Sequence, residues 1–370
     1  VTAMGNIDSS DPETFNTSLA LLDAQVDVVS YGSIELGTVF NPTIQTTVAE
    51  YSPQLKPLSY LSYSEETSVA LTSMMGDLLF SGAFWKERVL QGVAANDDIA
   101  RRILPPVVML LAEGNINFGS DRGGDFLLAP SKVGNLEIKA GKTLSGLYAN
   151  SLGTPKQATL RLSDLAPEDT YGRKMNDYDM LNELFADETL ETTHAVRPIH
   201  LGDSTHSTLM ASGDIHELRV ISPERTIVGA GGDITGLYFF GQNLCPNDAT
   251  SITAKGSIEL SSITTPPLDN TGYFLSGPGH FLVEAGDSLD LGTTQGIQVV
   301  GSAFYSALSE EDSSLAVLVG TSKVMPVDEL NAFFDDIRAY GVDYSELLAE
   351  GDTEGAAGIV QKADETLIDE

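Results

Sequence analysis

The stretch "ASGDIHELRVISPERTIVGAGGDITGLYFF", residues 211–240, contains nearly the same hexamer twice. Gly-Asp-Ile-His-Glu-Leu begins at Gly213, and Gly-Asp-Ile-Thr-Gly-Leu begins at Gly232, 19 residues later. Short runs in which apolar and polar residues alternate surround both copies, and such runs bounded by glycine are typical of β-strands. The recurrence of the same turn sequence followed by the same strand sequence indicates a repeating β-structure.

Related blocks, each with a glycine, a polar residue and an Ile or Leu, occur elsewhere and begin at Gly5, Gly114, Gly141, Gly256 and Gly286. From Ile215 the aliphatic position recurs after 19, 24 and 31 residues, at Ile234, Ile258 and Leu289. An alanine commonly stands just before the glycine, at Ala140, Ala211, Ala230, Ala254 and Ala285.

Short strands on an irregular repeat of this length favour a parallel β-helix, in which inward side chains stack about 4.8 Å apart on successive coils. Glycine suits the corners, where φ is positive or where coils approach too closely for a Cβ. The four aliphatic residues are predicted to point inward and stack. An antiparallel β-sandwich also has alternating strands, but it does not require the same hexamer in the same phase.

The composition describes a large, acidic, globular chain. Its 370 residues are 42% hydrophobic, and 53 acidic residues face 20 basic ones, a net charge of −33. This charge opposes binding to nucleic acid or to anionic lipid. Cys245 is the only cysteine, so no intramolecular disulfide is possible. No apolar run approaches the length needed to span a bilayer. Because the chain begins at Val1, we expect it to be cut from something longer.

Three stretches depart from the strand pattern. Apolar residues at helical spacing predict one or two helices over 65–104, and a polar stretch at about 162–199 is interpreted as an insertion with a short helix. The stretch 326–370 is predicted to be an acidic helical tail, with a helix that begins at Pro326. The predicted organisation is a strand-and-helix region over 1–105 with possible coils and a cap, a parallel β-helix over 106–325 and the tail over 326–370.

With these blocks in order, residues 103–320 resemble the C-terminal portion of filamentous-haemagglutinin-type exoproteins, which are exported by two-partner secretion. The resemblance rests on the sequence of blocks, including "ILPPVVMLLAEGNINF", "LLAPSKVGNLEIKAGKTLSG", "LRLSDLAP", "PIHLGDSTHSTLMASGDIHEL", "GAGGDITGLYFFGQN", "DATSITAKGSIEL" and "LSGPGHFLVEAGDSLDLG". It implies a right-handed parallel β-helix, a location outside a diderm bacterial cell, and a role in adhesion or surface structure.

One motif resembles a hydrolase signature. Gly286-Asp287-Ser288-Leu289 spells the serine block of GDSL hydrolases, and Gly202-Asp203-Ser204 nearly does. Those enzymes need the serine at the end of a strand that enters a helix, and a downstream Asp-x-x-His that supplies the base. No histidine follows His280. We therefore expect Ser288 and Ser204 to have no hydrolytic role.

Other candidate groups also have a simple structural interpretation. His194, His200 and His206 are six residues apart near Asp203, a spacing that suits neither one helix face nor one strand face, so surface histidines are favoured over a metal site. Asp214 and Asp233 are expected at equivalent corners of adjacent coils. Such a carboxylate column could be a catalytic cleft or hold calcium, but turn aspartates that bond the local backbone are the simpler account.

Aromatic residues near the hexamers, Tyr238, Phe239, Phe240 and the later Tyr305, could stack on sugars, although core packing is favoured. We therefore predict a secreted structural or adhesive protein, not an enzyme, with no catalytic, cofactor-binding or metal residues and no cofactor. Self-assembly into filaments is a further alternative, because a solenoid without polar caps offers open strand edges to the next copy. Its expected partners are other copies of itself or the rest of a longer exoprotein, with host or cell-surface glycans or proteins as further possibilities. The alternative is a carbohydrate-active β-helix enzyme, a polysaccharide lyase or hydrolase.

Overall fold

The computed structural model describes residues 1–8, 17–41, 63–82, 103–121, 124–162, 198–202, 205–264, 272–302, 307–309 and 313–322. Contacts divide the chain into one unit from Val1 to Thr321 and a second from Ser322 to Glu370. Beyond Ser322 the second unit lies outside the described residues, so the fold that follows is that of the first.

Parallel strands from along the chain form a ten-stranded sheet, sheet I, in the described residues. Its strands, in spatial order, are β1 (Thr2–Ala3), β3 (Gln25–Ser30), β6 (Ser68–Ser73), β9 (Val107–Ala112), β12 (Asn135–Ala140), β16 (Ser207–Ala211), β19 (Thr226–Ala230), β22 (Ala249–Ala254), β25 (Gly279–Ala285) and β28 (Ser313–Val319). A separate pair joins β2 (Ser18–Ala20) to β5 (Thr38–Phe40).

Two further sheets have eight strands each in the described residues. Sheet II contains β4 (Ile34–Leu36), β7 (Leu78–Phe80), β10 (Ile116–Phe118), β13 (Leu144–Ser145), β17 (Ile215–His216), β20 (Ile234–Thr235), β23 (Ile258–Glu259) and β26 (Leu289–Asp290). Sheet III contains β8 (Ile103–Leu104), β11 (Asp125–Leu128), β15 (Pro155–Leu162), β18 (Leu218–Ser222), β21 (Tyr238–Gln242), β24 (Tyr273–Ser276) and β27 (Ile297–Val299), and β14 (Leu147–Ala149) pairs antiparallel with β15.

The chain visits the three sheets in rotation, from I to II to III and back to I. We call one such circuit a rung. Strands of successive rungs pair in parallel, as the sequence favoured over an antiparallel sandwich. The described protein is therefore all-β, with long parallel sheets.

The hexamer repeat places one aliphatic residue at the same point of every rung. Ile215, Ile234 and Ile258 are register partners in sheet II and are fully buried, which confirms their predicted inward stacking. Leu289 continues this column and is partly buried, since it lies on the last rung of the sheet. In the other direction the column runs through Leu144, Ile116, Leu78, Ile34 and Ile7.

A second column consists of alanines at the C-terminal ends of the strands of sheet I, where the chain turns towards sheet II. Ala112, Ala140, Ala211, Ala230, Ala254 and Ala285 are register partners from rung to rung, and all are buried. This column explains why an alanine commonly precedes the glycine of the repeat. A larger side chain here would have to fit between its neighbours above and below in a close-packed interior.

The corner glycines are required by close approach of neighbouring rungs. A Cβ on Gly286 would lie 1.8 Å from the carbonyl oxygen of Lys255, and one on Gly231 would lie 2.1 Å from that of Ser212. Backbone cannot move aside as a flexible side chain can, so neither position accepts another residue without a shift of the rung.

The helix predicted within 65–104 is wrong for the described part, because Ser68–Ser73 and Leu78–Phe80 are the strands β6 and β7. Val69 and Leu71 point inward while Ala70 and Thr72 lie on the outer face, a period of two that tertiary pairing enforces. The parallel sheets thus begin upstream of residue 106, where the β-helix was predicted to start.

The remaining helix predictions concern residues that the structure does not describe. Of residues 83–104, only the strand Ile103–Leu104 is described, and residues 163–197 and 323–370 lie outside the described ranges. Within those ranges, no helix is long and apolar enough to cross a membrane.

The inward column predicts a strong asymmetry between two isoleucines. Ile234→Asp would place an unpaired charge in the interior, so we expect the free energy of unfolding to fall by about 4 kcal/mol or more. Ile227→Asp, on the outer face of sheet I, should cost about 1 kcal/mol because its carboxylate remains hydrated. Urea titrations followed by circular dichroism measure both, and equal losses would contradict the inward placement of Ile234.

Candidate functional site

The polar residue just before each strand of sheet II forms a continuous column, which we call the corner ladder. Its members are Asn6, Ser33, Asp77, Asn115, Thr143, Asp214, Asp233, Ser257 and Ser288. The backbone N–H of Asp233 donates to Oδ1 of Asp214 at 2.8 Å, and the N–H of Ser257 donates to Oδ1 of Asp233 at 2.7 Å. Similar bonds join Ser33 to Asn6, Asp77 to Ser33, Asn115 to Asp77 and Thr143 to Asn115.

The two aspartates of the hexamers therefore occupy equivalent corners of adjacent rungs, as predicted. Their hydrogen bonds differ from the expectation, since each carboxylate accepts from the next rung and not from its own turn. A corner leaves some backbone N–H groups outside the sheet ladders, and side-chain oxygens supply the missing acceptors. This role accounts for Asp, Asn and Ser exchanging places along the column.

The serine of the GDSL-like block belongs to the same column. Ser288 is exposed and its Oγ donates to Oγ of Ser257 at 2.9 Å. It lies on a turn that leads into β26, a strand, and not at the strand-to-helix junction that those hydrolases use. Ser204 and Asp203, in the second such block, lie outside the described residues.

The histidines with six-residue spacing do not share a site among the described residues. His194 is not described, His200 is buried beside Glu224, and the ring Nδ1 of His206 lies 2.7 Å from a terminal guanidinium nitrogen of Arg225. In the described part of the chain, no three His, Cys, Asp or Glu side chains group closely enough to hold a metal ion.

The buried pair of His200 and Glu224 was not found from the sequence. Its atoms His200 Nδ1 and Glu224 Oε2 are 3.7 Å apart, and Oε1 of Glu224 accepts a 2.6 Å hydrogen bond from Ser207 Oγ. The serine hydroxyl bonds to the carboxylate and not to the imidazole. In an activated nucleophile the hydroxyl bonds to the imidazole, and the carboxylate orients that ring, so this arrangement is a different one. Ser207 also accepts from the N–H of Leu136, which joins neighbouring rungs.

A cavity of about 120 Å³ adjoins this pair, where the chain passes from sheet III to sheet I. Its lining residues are His200, Thr205, Glu224, Arg225, Leu244, Cys245 and Asp248. Burial, and secondarily the carboxylate of Asp248, raise the pKa of the Cys245 thiol. A raised pKa lowers the thiolate fraction near neutral pH, which argues against a reactive nucleophile.

Glu217 is a second buried carboxylate that sequence reasoning missed. Glu217 occupies the position that Gly236 has in the other hexamer. Both residues have a left-handed backbone conformation, with φ of 47° at Glu217 and 61° at Gly236. Its carboxylate accepts hydrogen bonds from Ser262 Oγ and from the N–H of Ile263, 2.9 Å away. The strained residue therefore fastens the segment after β23 to an earlier rung.

The outer face of sheet II carries a polar group around His216. Its Nδ1 lies 2.6 Å from Thr235 Oγ1, and its Nε2 lies 3.6 Å from Asp214 Oδ2. Glu259 and Asp290 continue the same outward column on the next two rungs. A histidine with one carboxylate beside it is thus followed, two and three rungs further along the same outer face, by two more carboxylates.

The aromatic residues near the hexamers have different environments. Phe239 is fully buried and packs on Phe281, with ring centroids 6.0 Å apart, as core packing predicts. Tyr238 lies under the guanidinium of Arg219, 4.4 Å from its ring centroid. Phe240 stacks on Phe274 of the next rung at 4.6 Å, and Tyr305 is not described.

Comparison of the chain with protein families, with curated proteins and with solved structures gave no match.

The corner ladder predicts a graded response at Asp233. Removing its acceptor in Asp233→Ala should lower the free energy of unfolding by about 0.5–1 kcal/mol, because the exposed N–H of Ser257 exchanges its carboxylate partner for water. Asp233→Asn should restore it, since an amide oxygen serves the same purpose at Asn6 and Asn115. Chemical denaturation distinguishes the two variants, and an alanine variant as stable as the native chain would contradict the ladder's role.

The position of Ser288 predicts that it supports no hydrolysis. Short-chain acyl esters should be hydrolysed at background rate by the native chain and equally by Ser288→Ala. Ser257→Ala is the matched control, because it removes the hydroxyl bonded to Ser288. Ester hydrolysis that disappears only in Ser288→Ala would restore the hydrolase interpretation.

Proposed function

We propose that this chain is a structural or adhesive segment of a secreted, filamentous-haemagglutinin-like exoprotein, and that its three sheets close into a right-handed parallel β-helix. The proposal combines the rotation of the chain through the sheets with the resemblance of residues 103–320 to that group of exoproteins. The expected location is outside a diderm bacterial cell, at its surface or in its surroundings.

The observation that carries the structural role is the register of the aliphatic column. The same position holds Ile or Leu on every rung from Ile7 to Leu289, although the intervening lengths of chain vary widely. Each rung buries its apolar face only against its neighbours, so stability adds along the stack. Such an architecture presents long, repetitive outer faces, which suit scaffolding and attachment to extended surfaces.

The partners proposed are other copies of the chain, the rest of a longer exoprotein, and cell-surface glycans or proteins. The net charge of −33 argues against nucleic acid as a partner, because phosphates would be repelled. No cofactor enters this proposal.

A carbohydrate-active β-helix enzyme is the second candidate, and the group around His216 favours it. A histidine beside Asp214 and in line with Glu259 and Asp290 offers a base and several carboxylates on one open face. The cleavage of a polysaccharide laid along that face would need these groups to act together.

The two candidates predict different behaviour towards glycans. An adhesive segment should bind immobilised cell-surface glycans or proteins saturably and leave the chain length of polysaccharides unchanged. The His216→Ala variant should bind these surfaces as well as the native chain does. Surface binding assays and size-exclusion chromatography of a panel of neutral and acidic polysaccharides measure both properties. Depolymerisation that is lost in His216→Ala but kept in the outer-face control Ile227→Ala would favour the enzyme instead, and the absence of saturable binding would contradict adhesion.

A further inference from the structure

The last strand of sheet I has one open edge. β28 pairs with β25 along its whole length, Ser313–Val319, and among the described residues no strand pairs with its other side. An edge strand presents unpaired N–H and C=O groups to any strand that can approach it.

Among the described residues, the interior columns also end at β28. Leu315, Val317 and Val319 continue the inward positions of Phe281, Val283 and Ala285, which are at most 1% exposed. The three residues of β28 are 42%, 40% and 51% exposed, respectively. Side chains that belong to the core by register are therefore left in contact with water at the end of the stack.

The same three residues direct their backbone groups to the open edge. The N–H of Gly320, the residue after β28, donates to the carbonyl of Ala285 in β25. Since backbone groups alternate between the two edges of a strand, the N–H and C=O groups of the even-numbered residues of β28 face β25. Because alternate residues of a strand point to opposite edges, the N–H and C=O groups of Leu315, Val317 and Val319 face away from β25.

No residue of β28 is charged, although the protein carries a net charge of −33. Natural edge strands usually carry lysine, proline or inward charges that prevent pairing with another chain. The run Ser-Ser-Leu-Ala-Val-Leu-Val has high β-propensity and none of these protections.

From these features we propose that β28 is a self-association surface, where two copies of the chain pair antiparallel about a two-fold axis at Ala316. In this register Leu315 of one copy lies opposite Val317 of the other, and Ser313 lies opposite Val319. All four residues direct their backbone groups to the shared edge, so each pair exchanges two hydrogen bonds. Sheet I of one copy would continue into sheet I of the other.

The same register matches the side chains. Directly opposite residues of an antiparallel pair lie on the same face, so Leu315 would contact Val317 of the second copy on the interior side. On the outer side Ala316 would face its own equivalent, and Leu318 would face Ser314. The surface is self-complementary, as a two-fold interface requires.

The opposite end of sheet I is a poorer partner for β28. There β1 already pairs with the end of β3. The rest of the β3 edge carries the exposed side chains of Gln25 and Asp27. Pairing of two copies through β28 avoids burying that carboxylate.

The contact should be reversible and sensitive to salt. One strand edge is smaller than the standard interface of about 800 Å² per partner, so we expect a dissociation constant in the micromolar range. Two copies of a highly acidic protein also repel each other, and added salt screens that repulsion. Sedimentation velocity of the full chain should show a monomer–dimer equilibrium that shifts at least threefold towards dimer between low and high salt.

Cysteine cross-linking tests the register directly, in a Cys245→Ser background that removes the native thiol. Ala316→Cys should form an interchain disulfide on mild oxidation, because the two residues face each other about 4.5 Å apart between Cα atoms. Leu318→Cys is the matched control on the same face and should cross-link at least tenfold less, since it faces Ser314. Equal cross-linking of both variants, or of neither, would overturn the proposed pairing.

Proline substitution tests the backbone contribution. Val317→Pro removes an N–H that β25 does not use, so it should weaken dimerisation at least tenfold with little change in the melting temperature. Ala316→Pro removes an N–H that faces β25 and should lower the melting temperature instead. A native chain that stays monomeric at all concentrations, or a dimer that Val317→Pro leaves intact, would refute the interface. The proposed adhesive role is tested separately through glycan binding, so either proposal can fail without the other.

Discussion

Parallel pairing between equivalent residues of successive rungs is the constraint on which the rest of the structure depends. Once Ile215, Ile234 and Ile258 are register partners, every neighbouring position of the rung is fixed in turn. The residue before each isoleucine must serve the corner backbone, and the alanine and glycine upstream must fit between rungs. Differences in chain length between rungs are confined to connections that do not disturb these columns.

The sequence was informative where a residue repeats its surroundings on each rung. The hexamers predicted the all-β repeat, the inward aliphatic column and the equivalence of Asp214 and Asp233, because in-register stacking selects similar residues at similar positions. It misled over 65–82, where the apolar residues of a strand also fitted a helical spacing and only pairing with β3 and β9 decides the structure. Propensity is a weak guide wherever neighbouring strands determine the outcome.

The polar groups of possible functional interest could not be predicted for a related physical reason. Glu224 and His200 meet across a gap of more than twenty residues, and Glu217 replaces a glycine of the repeat to reach Ser262. Each occurs once, so it leaves no periodic signal. Side chains with individual roles occur at such exceptions to the repeat, because in-register stacking restricts the residues of each column to similar types.

The distribution of charge links the fold to its behaviour in solution. The inward columns accept few polar groups, so most of the 53 acidic residues must lie on the outside or in the segments beyond the described sheets. Their mutual repulsion opposes the approach of two copies, whereas β28 presents an uncharged edge at one end of sheet I in the described residues. Association through that edge pairs backbone groups without burying a charged side chain of the strand, and the repulsion between two acidic copies then limits its strength.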